Sequence, residues 1–357
     1  MSGFKLLTTQ NTEEWNSYLN RFSLSKKDVF SKPEYYKLFE NKSKKAFCFI
    51  YESGKNLAIY PFLKTDLSQL NLLNFKKKYY DIEGAYGYNG AFISTFSKIF
   101  IKKFNKIFND YCIKNNIVAE FTRFNPIYNN QKFSLYFDIK KANKNIIVDL
   151  RKDWKILWEK DFDHSIRKNY KKSLNNNLKI IHTHSNKIKK EQLDFFFDIY
   201  KKTLIRKKAQ NFYFFKNKFF KDISLHLNKF AIFFFVLYKE KIISTELVLH
   251  NGCNAYSFLG GTLKSFYNLS PNDFLKVEII KFLKKNKFKK FCLGGGLKEN
   301  DGIFNFKKKY NKNEEFDFLI GTKIYNHDLY KKLSNSWIKN NPEKLKISSN
   351  FFLKYKL

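Results

Sequence analysis

Cysteine is scarce in this sequence of 357 residues, and its four cysteines are widely separated. They stand at positions 48, 112, 253 and 292, with no Cys-x-x-Cys pair and no histidine at metal-ligand spacing. His182 and His184 alternate, but no third ligand stands near them. The sequence therefore predicts a reduced protein without a metal site, in which the thiols act as small hydrophobic groups.

Long apolar runs are also missing. The longest, such as residues 231–238, are far shorter than the roughly 20 residues that span a bilayer. The sequence starts with Met-Ser-Gly-Phe-Lys, which lacks the apolar core of a secretion signal. Hydrophobic residues still make up 43% of the chain, which excludes a wholly disordered protein. We expect a cytoplasmic protein without an integral membrane segment, whose contact with an anionic membrane would be peripheral.

Arginine is rare, with five residues in a Lys+Arg total of 68, so the net charge of +36 is almost entirely lysine. The lysine accompanies abundant Phe, Ile, Asn and Tyr, all of which have A/T-rich codons, and a biased genome would produce this charge without a polyanionic partner. Proteins that read nucleic acid favour arginine for bidentate contacts. Charge-driven nucleic-acid binding without catalysis stays an alternative function, and it predicts an affinity that falls steeply with added salt.

Glycine is scarce too, at 13 residues, yet it occurs in clusters. Four glycines fall within residues 291–310, and others stand at 84–90 and 260–261. Such clusters mark places where the backbone takes a positive φ or approaches another group closely. Residues 291–310 resemble a phosphate-cradling loop at first sight. Their place after a strand favours the wall of a cleft instead.

The C-terminal half has the pattern of three antiparallel strands, a helix and two further strands. The strands are predicted over residues 231–238, 242–250, 253–260, 288–293 and 316–322. Asn251-Gly252 is a strong hairpin signal. Ser270 is the predicted N-cap of a helix that starts at Pro271 and runs to about residue 285. The strand after this helix is expected to run parallel to the one before it.

The N-terminal half repeats the order of hairpin, glycine loop, helix and strand. These elements are predicted over residues 46–51 and 57–63, 84–90, 97–114 and 117–121. Sequence identity between the halves is weak, so the expected duplication is structural. The predicted fold class is α/β (α+β), with two tandem domains that each contain a mixed, mostly antiparallel sheet flanked by helices. The predicted boundaries are 1–150, 151–335 and a basic C-terminal tail over 336–357.

An ordered series of short motifs follows this architecture. The motifs are YGYNG at 86–90, SIR at 165–167, YKKTLIR at 200–206, SFLGGT at 257–262, LGGG at 293–296 and DGIFNFK at 301–307. Together they resemble the FemAB-like branch of the GNAT acyltransferase superfamily, from about residue 30 to about residue 330. The resemblance implies two GNAT-like domains, with the donor site in the second.

The resemblance also implies a function. Members of this branch transfer an acyl or aminoacyl group to an amine of a cell-envelope or surface-glycan precursor, and some act on small-molecule amines. The implied donor is acyl-coenzyme A or aminoacyl-tRNA, with tRNA as a partner in the second case, and no metal. An aminoacyl-tRNA-dependent ligase of peptidoglycan bridges stays an alternative. It is less favoured because residues 161–208 lack the long heptad arm common in those ligases. A duplicated fold that has lost catalysis and serves as a binding module is a further alternative.

The resemblance and the residue patterns give three groups of candidate site residues. The catalytic candidates are Glu246 as general base, Lys307 as the ligand of a phosphate or oxyanion, and Tyr256 as proton donor to the leaving group. The donor-binding candidates are Gly260, Gly261, Thr262, Ser270 and Asn272. The acceptor-binding candidates are Arg167, Arg206, Tyr86, Tyr88, Gly294 and Gly295. Each group also has an ordinary explanation: a turn for the glycines, solvation for Lys307 and the arginines, and solubility of a half-exposed strand for Glu246.

Overall fold

The computed structural model describes residues 3–344 and 351–356. The first elements are β1 (Phe4–Thr8), α1 (Thr12–Asn20), α2 (Pro33–Lys37), β2 (Lys44–Ser53), β3 (Asn56–Asp66), β4 (Tyr80–Glu83), β5 (Phe92–Ile93), α3 (Lys98–Lys114), β6 (Ile117–Arg123) and β7 (Asp138–Asp149). The central elements are α4 (Trp154–Ile156), α5 (His164–Asn175), β8 (Lys179–His184), α6 (Lys190–Arg206), α7 (Asn217–His226), β9 (Ala231–Tyr238), β10 (Lys241–His250), β11 (Asn254–Thr262), α8 (Pro271–Lys285), β12 (Lys290–Gly294) and α9 (Gly302–Lys308). The chain then forms β13 (Phe316–Ile324) and α10 (His327–Asn340).

These elements form two compact units, one of residues 1–142 with 318–357 and one of residues 143–317. The division differs from the predicted boundaries of 1–150 and 151–335. The physical reason is that β13 returns to the first unit, where Ile320–Ile324 pair antiparallel with β6. Part of the predicted tail, residues 345–350 and 357, lies outside the described residues. Leu353 and Tyr355 of the tail are buried in an apolar cluster of the first unit.

The first unit contains the strands in the order β1-β2-β3-β4-β6-β13, with β5 beside β3. β2 and β3 form the predicted hairpin, and α3 connects β4 to the parallel strand β6. The apolar face of α3 carries Phe100, Phe104 and Phe108, which pack on this sheet in one aromatic cluster. Helical spacing of large apolar residues therefore fixes how α3 covers the sheet.

The second unit contains the strands in the order β7-β12-β11-β10-β9-β8. Strands β9, β10 and β11 are antiparallel, and α8 connects β11 to the parallel strand β12. The same succession of hairpin, helix and parallel strand occurs in both units. This confirms the predicted α/β fold class of mostly antiparallel sheets flanked by helices, and it agrees with the expected structural duplication.

Helix α8 begins at Pro271 as predicted, but Ser270 is not its side-chain cap. Ser270 has φ +56° and ψ +40°, and its hydroxyl makes no capping hydrogen bond. A left-handed backbone turns the Ser270 side chain away from the first helical N–H groups, so the backbone alone forms the entry to the helix.

Across the residues that the structure describes, no helix is both long and apolar enough to cross a membrane.

Candidate functional site

The parallel strands β11 and β12 pair over only a short distance. The paired positions are Asn254 with Lys290, Ala255 with Phe291, and Tyr256 with Cys292. Beyond Tyr256, β11 pairs with β10 alone as far as Thr262, and the register between β10 and β11 shifts between Leu247 and Val248. A bulge of this kind bends a strand away from its neighbour. The two parallel strands therefore open at the carboxyl end of β12.

A buried ion pair stands at this opening. Glu246 lies on β10 and is 7% exposed, and Lys276 lies on α8 and is 5% exposed. The Lys276 ammonium is 2.5 Å from each Glu246 carboxylate oxygen and 3.0 Å from the hydroxyl of Ser257, the first β11 residue past the last β11–β12 pair. The predicted half-exposed strand at Glu246 is wrong, because α8 covers this side of β10.

Lys307 supplies a second cation to the same region. It lies in α9, whose N-terminus is capped by Asp301 through the N–H groups of Ile303 and Phe304. The Lys307 ammonium donates a hydrogen bond to the carbonyl of Gly295 at 2.7 Å, and in the described part of the chain no carboxylate lies within ion-pair distance of it. Burial, together with the positive charge of Lys276, lowers the pKa of Lys307 to about 8. Lys307 therefore titrates close to physiological pH, unlike an exposed lysine.

The glycine loop after β12 allows a close backbone approach. A Cβ atom at Gly295 would stand 2.2 Å from the carbonyl oxygen of Lys144 on β7, and Gly294 has φ +75°. The carbonyl of Gly296 accepts a hydrogen bond from the Asn143 side chain. Only glycine fits such contacts without a shift of the backbone. The loop is thereby held against β7, and its Gly295 carbonyl is presented to Lys307.

Gly260 and Gly261 also stand where the backbone is crowded. A Cβ atom at Gly260 would meet the Thr245 carbonyl oxygen at 2.5 Å, and one at Gly261 would meet the Thr203 hydroxyl at 2.6 Å and the Ile199 carbonyl at 2.7 Å. Two of these contacts are with backbone atoms that cannot move aside easily. The glycines therefore allow α6 to lie directly on the end of β11.

This crowding gives a testable expectation for Gly261→Ala. The new methyl group must push α6 from β11, which is expected to lower the free energy of unfolding by about 1–3 kcal/mol. Gly302→Ala is the matched control, because nothing lies within 4 Å of its Cβ position. Thermal denaturation of the two variants checks the expectation. Equal melting temperatures would mean that α6 does not press on β11 at this point.

The remaining donor-binding candidates lie together at the start of α8. The Thr262 hydroxyl donates to the Asn272 side chain at 3.0 Å and is 2.6 Å from the Ser244 hydroxyl. Asp273 in the first turn of α8 accepts hydrogen bonds from Asn169 and Tyr310, and burial raises its pKa. An acidic side chain in the first turn already complements the positive end of the helix. The phosphates of a donor would have to share this helix end with Asp273.

The four residues proposed from rare arginines and paired tyrosines have structural contacts of their own. Arg167 donates to the carbonyls of Trp158 and Phe162 at 2.9 and 2.8 Å, and Arg206 donates to the carbonyl of Thr262 at 3.0 Å. Tyr86 and Tyr88 lie in the first unit. The Tyr86 carbonyl accepts from Tyr35, and the Tyr88 ring packs against Phe30 and Phe318. Roles of these four residues in acceptor binding stay predictions.

Residues 164–308 match the family model described as the acetyltransferase (GNAT) domain. The chain carries a GNAT domain. The match covers α5 to α9, and thus the opened strands and all three members of the charged cluster of Glu246, Lys276 and Lys307. No curated protein matches the sequence.

Solved structures extend the likeness to the whole chain. FemX has a TM-score of 0.67 at 13% identity, covering 92% of this chain and 99% of the FemX chain. A tandem GNAT protein from the clavulanic acid biosynthesis pathway has a TM-score of 0.53 at 7% identity, covering 91% and 99%. The C-terminal DUF2156 domain of an assigned lysylphosphatidylglycerol synthetase from Agrobacterium fabrum has a TM-score of 0.53 at 12% identity, covering 94% and 96%. At such identities the likeness shows the fold alone, and it confirms the predicted GNAT-like fold.

Sequence reasoning missed Lys276 and Ser257 of the GNAT domain. Lys276 follows Phe274 and Leu275 and precedes Val277, all of them buried. A lysine inside such an apolar stretch of a helix signals a buried partner, because an unpaired ammonium is not tolerated in a core.

Among the described residues, no group of three or more His, Cys, Asp or Glu side chains could hold a metal ion.

Proposed function

We propose that this protein is an N-acyltransferase that moves an acyl group from coenzyme A to an amine of a cell-envelope or surface-glycan precursor. The observation that carries the proposal is the opened β11–β12 pair of a GNAT domain with the charged cluster of Glu246, Lys276 and Lys307 at the opening. An open edge between strands exposes backbone N–H groups that a donor carbonyl can use.

The proposed reaction needs three things from the protein. The attacking amine must lose a proton, the negative charge on the carbonyl oxygen must be stabilised, and the departing thiolate must be protonated. Lys307 is proposed to stabilise negative charge, because among the described residues its ammonium has a neutral carbonyl, that of Gly295, as its hydrogen-bond partner. Tyr256, at the last paired position of β11, is proposed to protonate the leaving group.

Glu246 is the proposed general base, but its position sets a condition. Both of its carboxylate oxygens accept from the Lys276 ammonium. Glu246 can therefore serve as base only when Lys276 moves away from one of its oxygens.

The acceptor class is inferred from relatives as well as from the site. One structure with this fold is assigned as a lysylphosphatidylglycerol synthetase, which points to an envelope lipid in that protein. The sequence motifs independently resemble the FemAB-like branch, whose acceptors are envelope amines. Both support an amine of an envelope or glycan precursor as the acceptor proposed here.

Thermal-shift measurements test the donor. Acetyl-coenzyme A at 100 times its dissociation constant is expected to stabilise the protein by about 2.7 kcal/mol, and free coenzyme A by less. Dephospho-coenzyme A is the matched control for the phosphate contacts. A charged tRNA that stabilises the protein while acetyl-coenzyme A does not would contradict the proposal in favour of the aminoacyl-tRNA-dependent ligase.

Nucleic-acid binding is the alternative from another class, and the net charge of +36 is what favours it. Binding to a 20-base-pair duplex, measured between 50 and 200 mM salt, distinguishes the two. A protein that neutralises 6–10 phosphates loses roughly 10³–10⁵ in affinity over this range. We expect the affinity for the duplex to be negligible at the higher salt concentration.

A further inference from the structure

Lys276 is an unusual residue for the middle of α8. Its side chain is 7% exposed, and its three neighbours Leu275, Val277 and Phe274 belong to the apolar core of the second unit. Burial of an ammonium group is costly, and a hydrophobic side chain of the same length would fill the space at no such cost. A role in stability alone therefore does not explain why a lysine stands here.

The polar contacts of Lys276 in the described part of the chain lie at the opened end of the strands. Its ammonium reaches Glu246 on β10 and Ser257 on β11, and it lies 5.4 Å from the centre of the Phe291 ring on β12. The Lys276 ammonium thus contacts residues of three neighbouring strands, β10, β11 and β12. The carboxylate of Glu246 has no freedom to turn while both of its oxygens are held.

We propose that Lys276 is a positioning residue, which fixes Glu246 beside the opened strands and holds a second positive charge near Lys307. The charged and titratable groups that face Lys307 come from four parts of the domain. They are Lys276 on α8, Glu246 on β10, Cys292 on β12 and Asp301 before α9. Lys276 is the cation of this set, so it favours loss of the Lys307 proton, while the other three favour its retention.

The inference deepens the proposed function and rests on it for its chemical meaning. When the attacking amine forms its C–N bond and the C–S bond breaks, one proton leaves the nitrogen and one is taken up by the thiolate. Glu246 can accept the first proton once Lys276 releases one of its oxygens, and Tyr256 supplies the proton that the thiolate takes up. Lys307, in its ammonium form, holds a positive charge beside the developing negative charge.

Lysine labelling tests the proposal without any donor or acceptor. The protein is treated with trace acetic anhydride from pH 6 to 11, and the labelling of each lysine is followed by mass spectrometry. Only neutral amines react, so the midpoint of labelling reports the pKa of each residue. Lys307 is expected to have a midpoint near pH 8.

Two substitutions are expected to move the Lys307 midpoint in opposite directions. Lys276→Met removes a repelling charge and leaves Glu246 unpaired, so the midpoint should rise by about one unit, which lowers labelling at pH 8 by about fivefold. Glu246→Gln removes an attracting charge, so the midpoint should fall. Lys276→Arg keeps the charge and should restore the wild-type midpoint.

Lys281→Met is the matched control, because this lysine stands on the same helix but pairs with Glu278. It should leave the midpoint unchanged. A midpoint that stays fixed in Glu246→Gln, or that moves in the same direction in both variants, would overturn the proposal, even if Lys276→Met failed to fold. Since no transfer is measured, loss of the proposed acyltransferase activity would leave this result intact, and the two failures are distinguishable.

Discussion

Replacement of Glu246 by alanine is expected to destabilise the protein by about 3–5 kcal/mol. Glu246 and Lys276 are each less than 10% exposed, and the substitution leaves the Lys276 ammonium buried without its counter-ion. Removing one partner of a buried pair has this effect because the remaining charge has lost both water and partner. For a unit the size of residues 143–317, the melting temperature should fall by roughly 10 °C.

The double variant Glu246→Ala/Lys276→Met separates the cost of an unpaired charge from the loss of packing. With both charges gone, most of the lost stability is expected to return, since buried pairs are often replaced by hydrophobic residues without loss. Glu278→Ala is the matched control. It breaks a partly exposed pair with Lys281 and should change stability by less than about 1 kcal/mol. A double variant as unstable as Glu246→Ala would show that packing, rather than the unpaired charge, is responsible.

Much of the second unit could be predicted from local patterns. Alternation, the Asn251-Gly252 turn and Pro271 predicted β10, β11 and α8 to within a few residues, and the interposed helix predicted that β12 is parallel to β11. These features depend on neighbours in sequence. The sequence marks the glycines at 260–261 as positions of close backbone approach. The atoms that leave room only for glycine belong to α6 and β10, and no local sequence pattern identifies these contacts.

The division into units and the pairing of Glu246 could not be predicted, because both depend on contacts between distant segments. β13 follows the second unit in sequence but pairs with β6, almost 200 positions earlier. Glu246 looked like a solvent-facing strand residue because alternation does not show what covers a face. Its partner Lys276 is 30 positions away. In a chain so rich in lysine, a single lysine among apolar neighbours is hard to recognise as a buried partner.

Replacement of Lys307 by methionine is expected to lower kcat/KM for acyl transfer by about 10²–10³, the loss typical when a group that stabilises developing charge is removed. Methionine keeps the length and the apolar packing of the side chain. The fold should therefore persist, and the melting temperature should stay within a few degrees, because Lys307 contributes one hydrogen bond to Gly295 and no ion pair among the described residues.

The measurement is release of free thiol from acetyl-coenzyme A, with the amine that gives the highest rate in the wild type. Lys309→Met is the matched control, since Lys309 lies two positions away in the same lysine run and is exposed. It should retain the wild-type rate. Between pH 7 and 9 the wild-type rate should fall as the Lys307 ammonium loses its proton with a pKa of about 8, and the Lys307→Met rate should lose this dependence. Equal rates in the two variants would place the chemistry away from Lys307 and leave the opened strands as a binding surface only.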